Sequence, residues 1–176
     1  MKLPLKLIIG LGNPGQSFYY HRHSIGFRIL DALADKHSAV WQEKKDMAVT
    51  QISLHGNTVY LVKPQTYMNN SGDILPTFTK KGIKPEEILV VHDELEIPFS
   101  KVALKQGGSA RGHNGLKSII SRIGDNFHRL RIGIGRPANR EDVPDYVLQD
   151  FSEREAQIVE VIQKSLDLID RLDRAI

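Results

Sequence analysis

IIGLGNPG, residues 8–15, is the stretch on which the reading of this chain turns. By spacing alone, Gly10-x-Gly12-x-x-Gly15 is the G-x-G-x-x-G of a dinucleotide-binding turn. Such a turn opens directly into a helix whose N-terminus faces the pyrophosphate, and an acid stands about 20 residues further on at the end of the second strand. Here the third glycine is followed by Gln16-Ser17-Phe18-Tyr19-Tyr20-His21-Arg22-His23, which is polar and aromatic and carries no helical apolar stripe. Helical spacing starts only at Ser24, and Asp31 and Asp35 fall inside that helix rather than at a strand end. Both tests of context fail. The loop therefore presents something other than a nucleotide phosphate: Asn13 and, ten residues on, His23.

Outward from the loop, residues 5–11 read as a buried, β-branched strand ended by the glycines. Ser24 is the expected N-cap of a helix to about His37, with Ile25, Ile29, Leu30, Leu33 and Ala34 on one face. Residues 49–54 and 58–62 flank a three-residue turn, His55-Gly56-Asn57, and form a hairpin. Strands are expected at 88–91, 101–105 and 129–134, and a helix at 115–123. Ser152 with Glu155 makes a capping box ahead of a long amphipathic helix through Ile158, Ile162, Leu166, Ile169 and Leu172. Strands and helices alternate around one hairpin. The expected fold is α/β, a single domain over residues 1–176 with a mixed central β-sheet flanked by helices.

Composition narrows the function. At 40% apolar and 26% charged residues the chain is a soluble globular protein, with no apolar run near the roughly 20 residues that cross a bilayer. The N-terminus Met-Lys-Leu-Pro-Leu-Lys has no small-residue cleavage site. The absence of cysteine excludes disulfides, thiol nucleophiles and thiolate-bound zinc, and fits a cytoplasmic protein. The net charge of +3 hides an asymmetry: Lys101 to Arg140 holds nine Lys/Arg against the single acid Asp125, whereas Glu141 onward holds ten acids against four bases. A basic stretch of this kind suits a polyanion.

Several polar groups stand at the mouths of elements. His23 follows the first strand's loop, and histidine can take a proton from water near neutral pH. Asp93, after the strand at 88–91, can accept the second ring N–H of a histidine and fix its tautomer. Asn69 in Met68-Asn69-Asn70-Ser71-Gly72 can donate an amide N–H to a developing oxyanion. Gly107 to Gly115 is a basic, glycine-rich loop whose N–H groups, with Arg111, can hold phosphate. It lacks a P-loop, and Ser109 is not a nucleophile elbow because position 111 is Arg. With no covalent nucleophile in view, water activated by a base is the economical chemistry. His21, His23, His92 and Asp93 leave a metal site open, although no H-E-x-x-H is present.

In this order the words GLGNPG…RH (Gly10–His23), Thr66-Tyr67-Met68-Asn69-Asn70-Ser71-Gly72, His92-Asp93-Glu94-Leu95, Gly112-His113-Asn114-Gly115-Leu116-Lys117 and Phe127-His128-Arg129-Leu130-Arg131-Ile132-Gly133-Ile134-Gly135-Arg136-Pro137 resemble bacterial peptidyl-tRNA hydrolases. Tyr146-Val147-Leu148 extends the resemblance. It implies hydrolysis of the ester between a stalled peptide and the terminal ribose of tRNA. His23 would be the general base and Asp93 its orienting partner. Asn13, Asn69 and Asn114 would shape the substrate pocket, with Met68 beneath the reacting end and Phe18 at its side. Lys105, His113 and Arg131, joined by Arg111, would meet the tRNA acceptor end.

The chain departs from that pattern in three places. Ser24 stands where the family usually has Asn, which alters substrate contacts on that side. Phe18 replaces a usual Tyr, and Arg111 stands where glycine is common. The expectation is an esterase without metal or cofactor, a monomer with no obligate protein partner. The rivals are a non-catalytic RNA-binding module using the same basic face and a metallohydrolase.

Overall fold

In the central strands, apolar residues point both ways, and this sets the architecture. Ile8, Leu89, Val91, Leu130 and Ile132 enter one buried cluster. Their neighbours Leu7, Ile9, Ile88 and Val90 enter another. Strands apolar on both faces belong inside a sheet covered on both sides. The computed structural model describes residues 5–172; the reading of the N-terminus as free of a cleavage site concerns Met1–Pro4 and lies outside them.

The strands are β1 (Leu7–Gly10), β2 (Gln42–Glu43), β3 (Met47–Leu54), β4 (Asn57–Pro64), β5 (Ile88–Glu94), β6 (Val102–Gln106) and β7 (His128–Gly133). They form one seven-stranded sheet in the order β2-β3-β4-β1-β5-β7-β6. The middle four run parallel, while β2, β3 and β6 are antiparallel to their neighbours. The sheet is mixed, as expected.

Helices α1 (Ile25–Lys36) and α5 (Glu155–Leu172) cover one face through Ile29, Leu30, Leu33, Val161 and Ile169. The short α2 (Leu75–Thr79) and α3 (Asn114–Ile123) cover the other through Phe78, Leu116 and Ile119. Each such side chain, fully buried, contributes about 1.5–3 kcal/mol. A short α4 (Val143–Val147) lies beyond β7. Among the described residues no helix is long and apolar enough to cross a membrane.

Four local expectations change. The hairpin turn has two residues, not three: His55 (φ 48°) and Gly56 (φ 83°) are both left-handed, and Leu54 pairs with Asn57. Such a turn matches the twist of its flanking strands. Strand β5 runs to Glu94, so His92 and Asp93 lie within the sheet. Ser24 precedes α1, but its side chain makes no cap hydrogen bond. The helix after Ser152 begins at Glu155, where the backbone N–H of Arg154 donates to Gln157 Oε1 at 3.1 Å. The helix start is thus fixed two residues later than the Ser152 box implies.

Candidate active site

Strand order reverses around β1, with β4 on one side and β5 on the other, so the carboxyl ends of these strands open a crevice where parallel sheets usually bind ligands. Three segments converge there: the Gly10–Gly15 loop after β1, the 3-10 turn Met68–Ile74 after β4, and the end of β5. A fourth is the 3-10 turn Arg22–Ser24 leading into α1. Gly26 seats it. A Cβ there would stand 2.5 Å from Leu11 N, 2.5 Å from Val91 O and 2.6 Å from Leu11 O. Only glycine lets the start of α1 rest directly on the ends of β1 and β5, which carries His23 over Asp93.

Asn13 ties the loops together. Its backbone N–H donates to Ser24 Oγ at 3.1 Å, and its Oδ1 accepts from Met68 N at 2.8 Å. Ser24 is fully buried, and its hydroxyl braces the loop through Asn13. Its hydroxyl serves Asn13, which is why it does not cap α1.

The centre of the site is a carboxylate held by two imidazoles. His23 Nδ1 lies 2.9 Å from each oxygen of Asp93, and His113 Nε2 lies 2.9 Å from Asp93 Oδ1. The two imidazole rings stand 4.9 Å apart. His113 is also the N-cap of α3: its Nδ1 accepts from Leu116 N at 3.3 Å. Accepting at Nδ1 makes Nε2 the protonated nitrogen, so His113 donates to Asp93 and both its nitrogens are used. His23 donates from Nδ1, and its Nε2 has no hydrogen-bond partner among the described residues. Of the two imidazoles on Asp93, only His23 offers a free lone pair.

Electrostatics follow this geometry. Burial alone would push His23 down, but the charge of Asp93 and its hydrogen bond outweigh that and raise His23 above its usual value. Asp93, 3% exposed, would be raised by burial, yet His23 and His113 together hold it well below the carboxylate range. His92, the preceding residue, is buried and pushed down to about 3 by desolvation first and by His113 second. It donates from Nδ1 to Asp93 O at 2.7 Å, and its Nε2 has no partner. A histidine this weakly basic stays neutral through the physiological range.

The cluster opens into a cavity of ≈ 360 Å³ lined by Asn114, Arg111, Arg136, Arg140 and the α4 residues Val143 and Val147. Met68 is buried against Gly115, whose added Cβ would lie 2.5 Å from Met68 Sδ. Asn69 is exposed on the turn after β4. Phe18 packs edge-on to His21 and Tyr67, with ring centres 5.5 and 6.3 Å apart. Lys105, Arg111 and Arg131 line a second cavity of ≈ 90 Å³ with Arg129. A larger groove of ≈ 550 Å³ beside β3 and α2 holds none of the candidate residues.

Three residues matter more here than their sequence positions suggest. His113, grouped by sequence with the tRNA contacts, sits on Asp93; its place just before an apolar-periodic helix is the available signal. Arg129 is 2% exposed and donates to Ser109 O at 2.8 Å and to Gly108 O, bolting the glycine loop to β7. Arg22 stacks 3.8 Å over Tyr146 and donates to Tyr146 O at 2.9 Å, joining the His23 turn to α4. Both arginines fall within the family words, Arg22 before His23 and Arg129 in the Phe127–Pro137 stretch, but neither carries a role there. His23, Asp93 and His113 present ligand atoms within 4.8 Å of one another, so these three could hold an ion. As they stand, both imidazoles donate to the Asp93 carboxylate.

Fold and site together define a single-sheet α/β protein with an imidazole–carboxylate pair at a strand-end crevice beside a basic wall, equipment for base-assisted hydrolysis. The sequence model of the family described as Peptidyl-tRNA hydrolase matches residues 7–174. A peptidyl-tRNA hydrolase of Wolinella succinogenes is 47% identical over 155 residues, 88% of this chain and 79% of the relative. One from Methylocella silvestris is 44% identical over 162 residues, 91% and 83% of the two chains. The crystal structure of the peptidyl-tRNA hydrolase of Acinetobacter baumannii superposes with a TM-score of 0.91 at 37% identity, covering 99% of this chain and 91% of that one. The chain belongs to the peptidyl-tRNA hydrolase family.

Proposed function

We propose that this protein hydrolyses the ester between a peptide and the terminal ribose of tRNA, with His23 as general base. Water donates a proton to His23 Nε2 while its oxygen attacks the ester carbonyl carbon. Collapse of the tetrahedral intermediate breaks the bond to the ribose oxygen, which takes the proton back from the imidazolium. Asp93 fixes the tautomer of His23 and stabilises the cation formed in between. His113 holds Asp93 from its other side. The amides of Asn13, Asn69 and Asn114 orient the peptide and the oxyanion, Met68 floors the pocket and Phe18 flanks it. Lys105, Arg111 and Arg131 hold phosphates of the acceptor end. The protein acts as a cytoplasmic monomer without a cofactor.

One observation carries the reading: the free Nε2 of His23 on a cleft, with its other nitrogen fixed by a buried carboxylate. One assay tests it. Purified protein is mixed with peptidyl-tRNA, with and without chelator, and free tRNA is followed. Turnover unaffected by chelator is expected. Binding without turnover would support the RNA-binding module, and loss with chelator would support an ion at His23, Asp93 and His113.

A further inference from the structure

The catalytic cavity and the basic cavity share a wall formed by Glu94, Glu96, Ala110, Arg111 and Leu116. A substrate whose ester reaches His23 while its phosphates lie by Lys105 and Arg131 has to cross that wall. The crossing is not uniformly basic. Glu96, exposed after β5, accepts from Arg136 Nε at 2.9 Å and also from Arg136 Nη2. Arg111, on the glycine loop, lines both cavities together with Glu96, and both arginines hold the Glu96 carboxyl below its usual range, Arg136 first. Arg111 keeps this place with a left-handed backbone, φ 46°, at a position where glycine would be at ease. An acid in the path of a polyanion opposes binding unless it has a task there.

We propose that Glu96 is a placeholder for a substrate phosphate. In the free protein its carboxylate, held by Arg136 in the wall that Arg111 shares, occupies the position that a phosphate of the tRNA's terminal single strand takes on binding. This rests on the reading of the basic wall as the tRNA contact. Each binding event then exchanges one anion for another, and the arginines stay oriented between turnovers. The exchange lowers affinity for substrate and for free tRNA alike, because both carry the same phosphates. Holding both less tightly speeds the departure of product without touching the chemistry at His23.

The test is the affinity of an unacylated acceptor-stem RNA with a single-stranded 3′ end, measured by fluorescence anisotropy across a salt series. Wild type is compared with Glu96→Gln, Glu141→Gln and Lys105→Ala, each checked for an unchanged unfolding temperature. Glu141 is an acid outside both cavities, so its variant reports the effect of net charge alone. Glu96→Gln is expected to tighten binding by up to about fivefold at every salt concentration, the scale of one exposed ion pair no longer displaced, while the salt slope stays as in wild type because the same phosphates are engaged. Glu141→Gln is expected to leave both unchanged. Weaker or unaltered binding by Glu96→Gln, or an equal tightening in Glu141→Gln, overturns the proposal. Lys105→Ala separates this from the underlying reading. If it weakens binding while Glu96→Gln does not tighten it, only the placeholder falls; if it changes nothing, the tRNA contact falls and the placeholder with it.

Discussion

Replacing Asp93 by Asn removes one charge and almost no volume, yet the hydrogen-bond geometry makes it a severe change. Asp93 accepts from two N–H donors, His23 Nδ1 and His113 Nε2, with Oδ1 2.9 Å from both and Oδ2 2.9 Å from His23. An amide has only one acceptor oxygen. If that oxygen takes the Oδ1 position, the amide N–H₂ faces His23 Nδ1–H. If it takes the Oδ2 position, the N–H₂ faces His113 Nε2–H, which cannot change tautomer without losing the Leu116 cap. The lower-cost escape is for His23 to move its proton to Nε2, which abolishes the base. Wrong-tautomer variants of such pairs lose about 10⁴ in kcat, and general bases are worth about 10²–10⁴. A loss on the order of 10³-fold or more is therefore expected, about 4 kcal/mol or more of transition-state stabilisation.

The pH profile gives the sign. With His23 as the proposed general base its neutral form is the active one, so activity should rise with pH through its pKa. Asp93 raises that pKa while burial lowers it, so the limb of the residual activity moves to lower pH in Asp93→Asn. Adding His113→Ala frees the amide to turn, and the double variant should be no slower than Asp93→Asn alone. The assay is kcat against pH on peptidyl-tRNA under single turnover. Retention of kcat within about tenfold, or a limb that stays in place, would refute the tautomer argument.

Other expectations concern the frame of the site. Gly26→Ala pushes a Cβ into backbone on three sides, and should cost about 3 kcal/mol or more and lower Tm by roughly 6–12 °C, read by thermal unfolding. His92 should show no titration between about pH 5 and 8 in a histidine NMR series, because burial keeps it neutral down to about 3. Asp93 is depressed in the folded state, so the stability it contributes is present above about pH 4 and is lost as pH falls further. Denaturant midpoints of wild type should therefore fall more steeply with acid than those of Asp93→Asn.

Much of the fold is legible in the sequence because apolar periodicity reports burial directly. Residues 5–11 and 88–91 mark the central strands, and Ile29, Leu30 and Leu33 mark the covered face of α1. What escapes are boundaries set by tertiary partners. His92 and Asp93 look like the polar end of a strand, but β5 pairs with β7 as far as Glu94 and Gly133, which carries both polar residues into the sheet. Ser152 and Glu155 have capping-box spacing, yet Glu155 is drawn to Arg28 across the α1–α5 contact and the helix starts at Glu155 itself. His23 and Asp93 are 70 positions apart, so no local pattern joins them; the family words do. The place of His113 is hidden for the same reason, since only the folded chain shows one carboxylate serving two rings. The acid among the arginines, Glu96, is invisible to a charge count that begins at Lys101.

If the free Nε2 of His23 takes the proton from water, removing that nitrogen must stop the reaction and spare the fold. The decisive experiment is single-turnover release of tRNA from saturating peptidyl-tRNA by His23→Ala, beside a thermal melt of the same preparation. An unchanged fold and a rate lower by about 10²-fold or more are expected. A well-folded His23→Ala protein that cleaves at nearly the wild-type rate would show that the proton goes elsewhere.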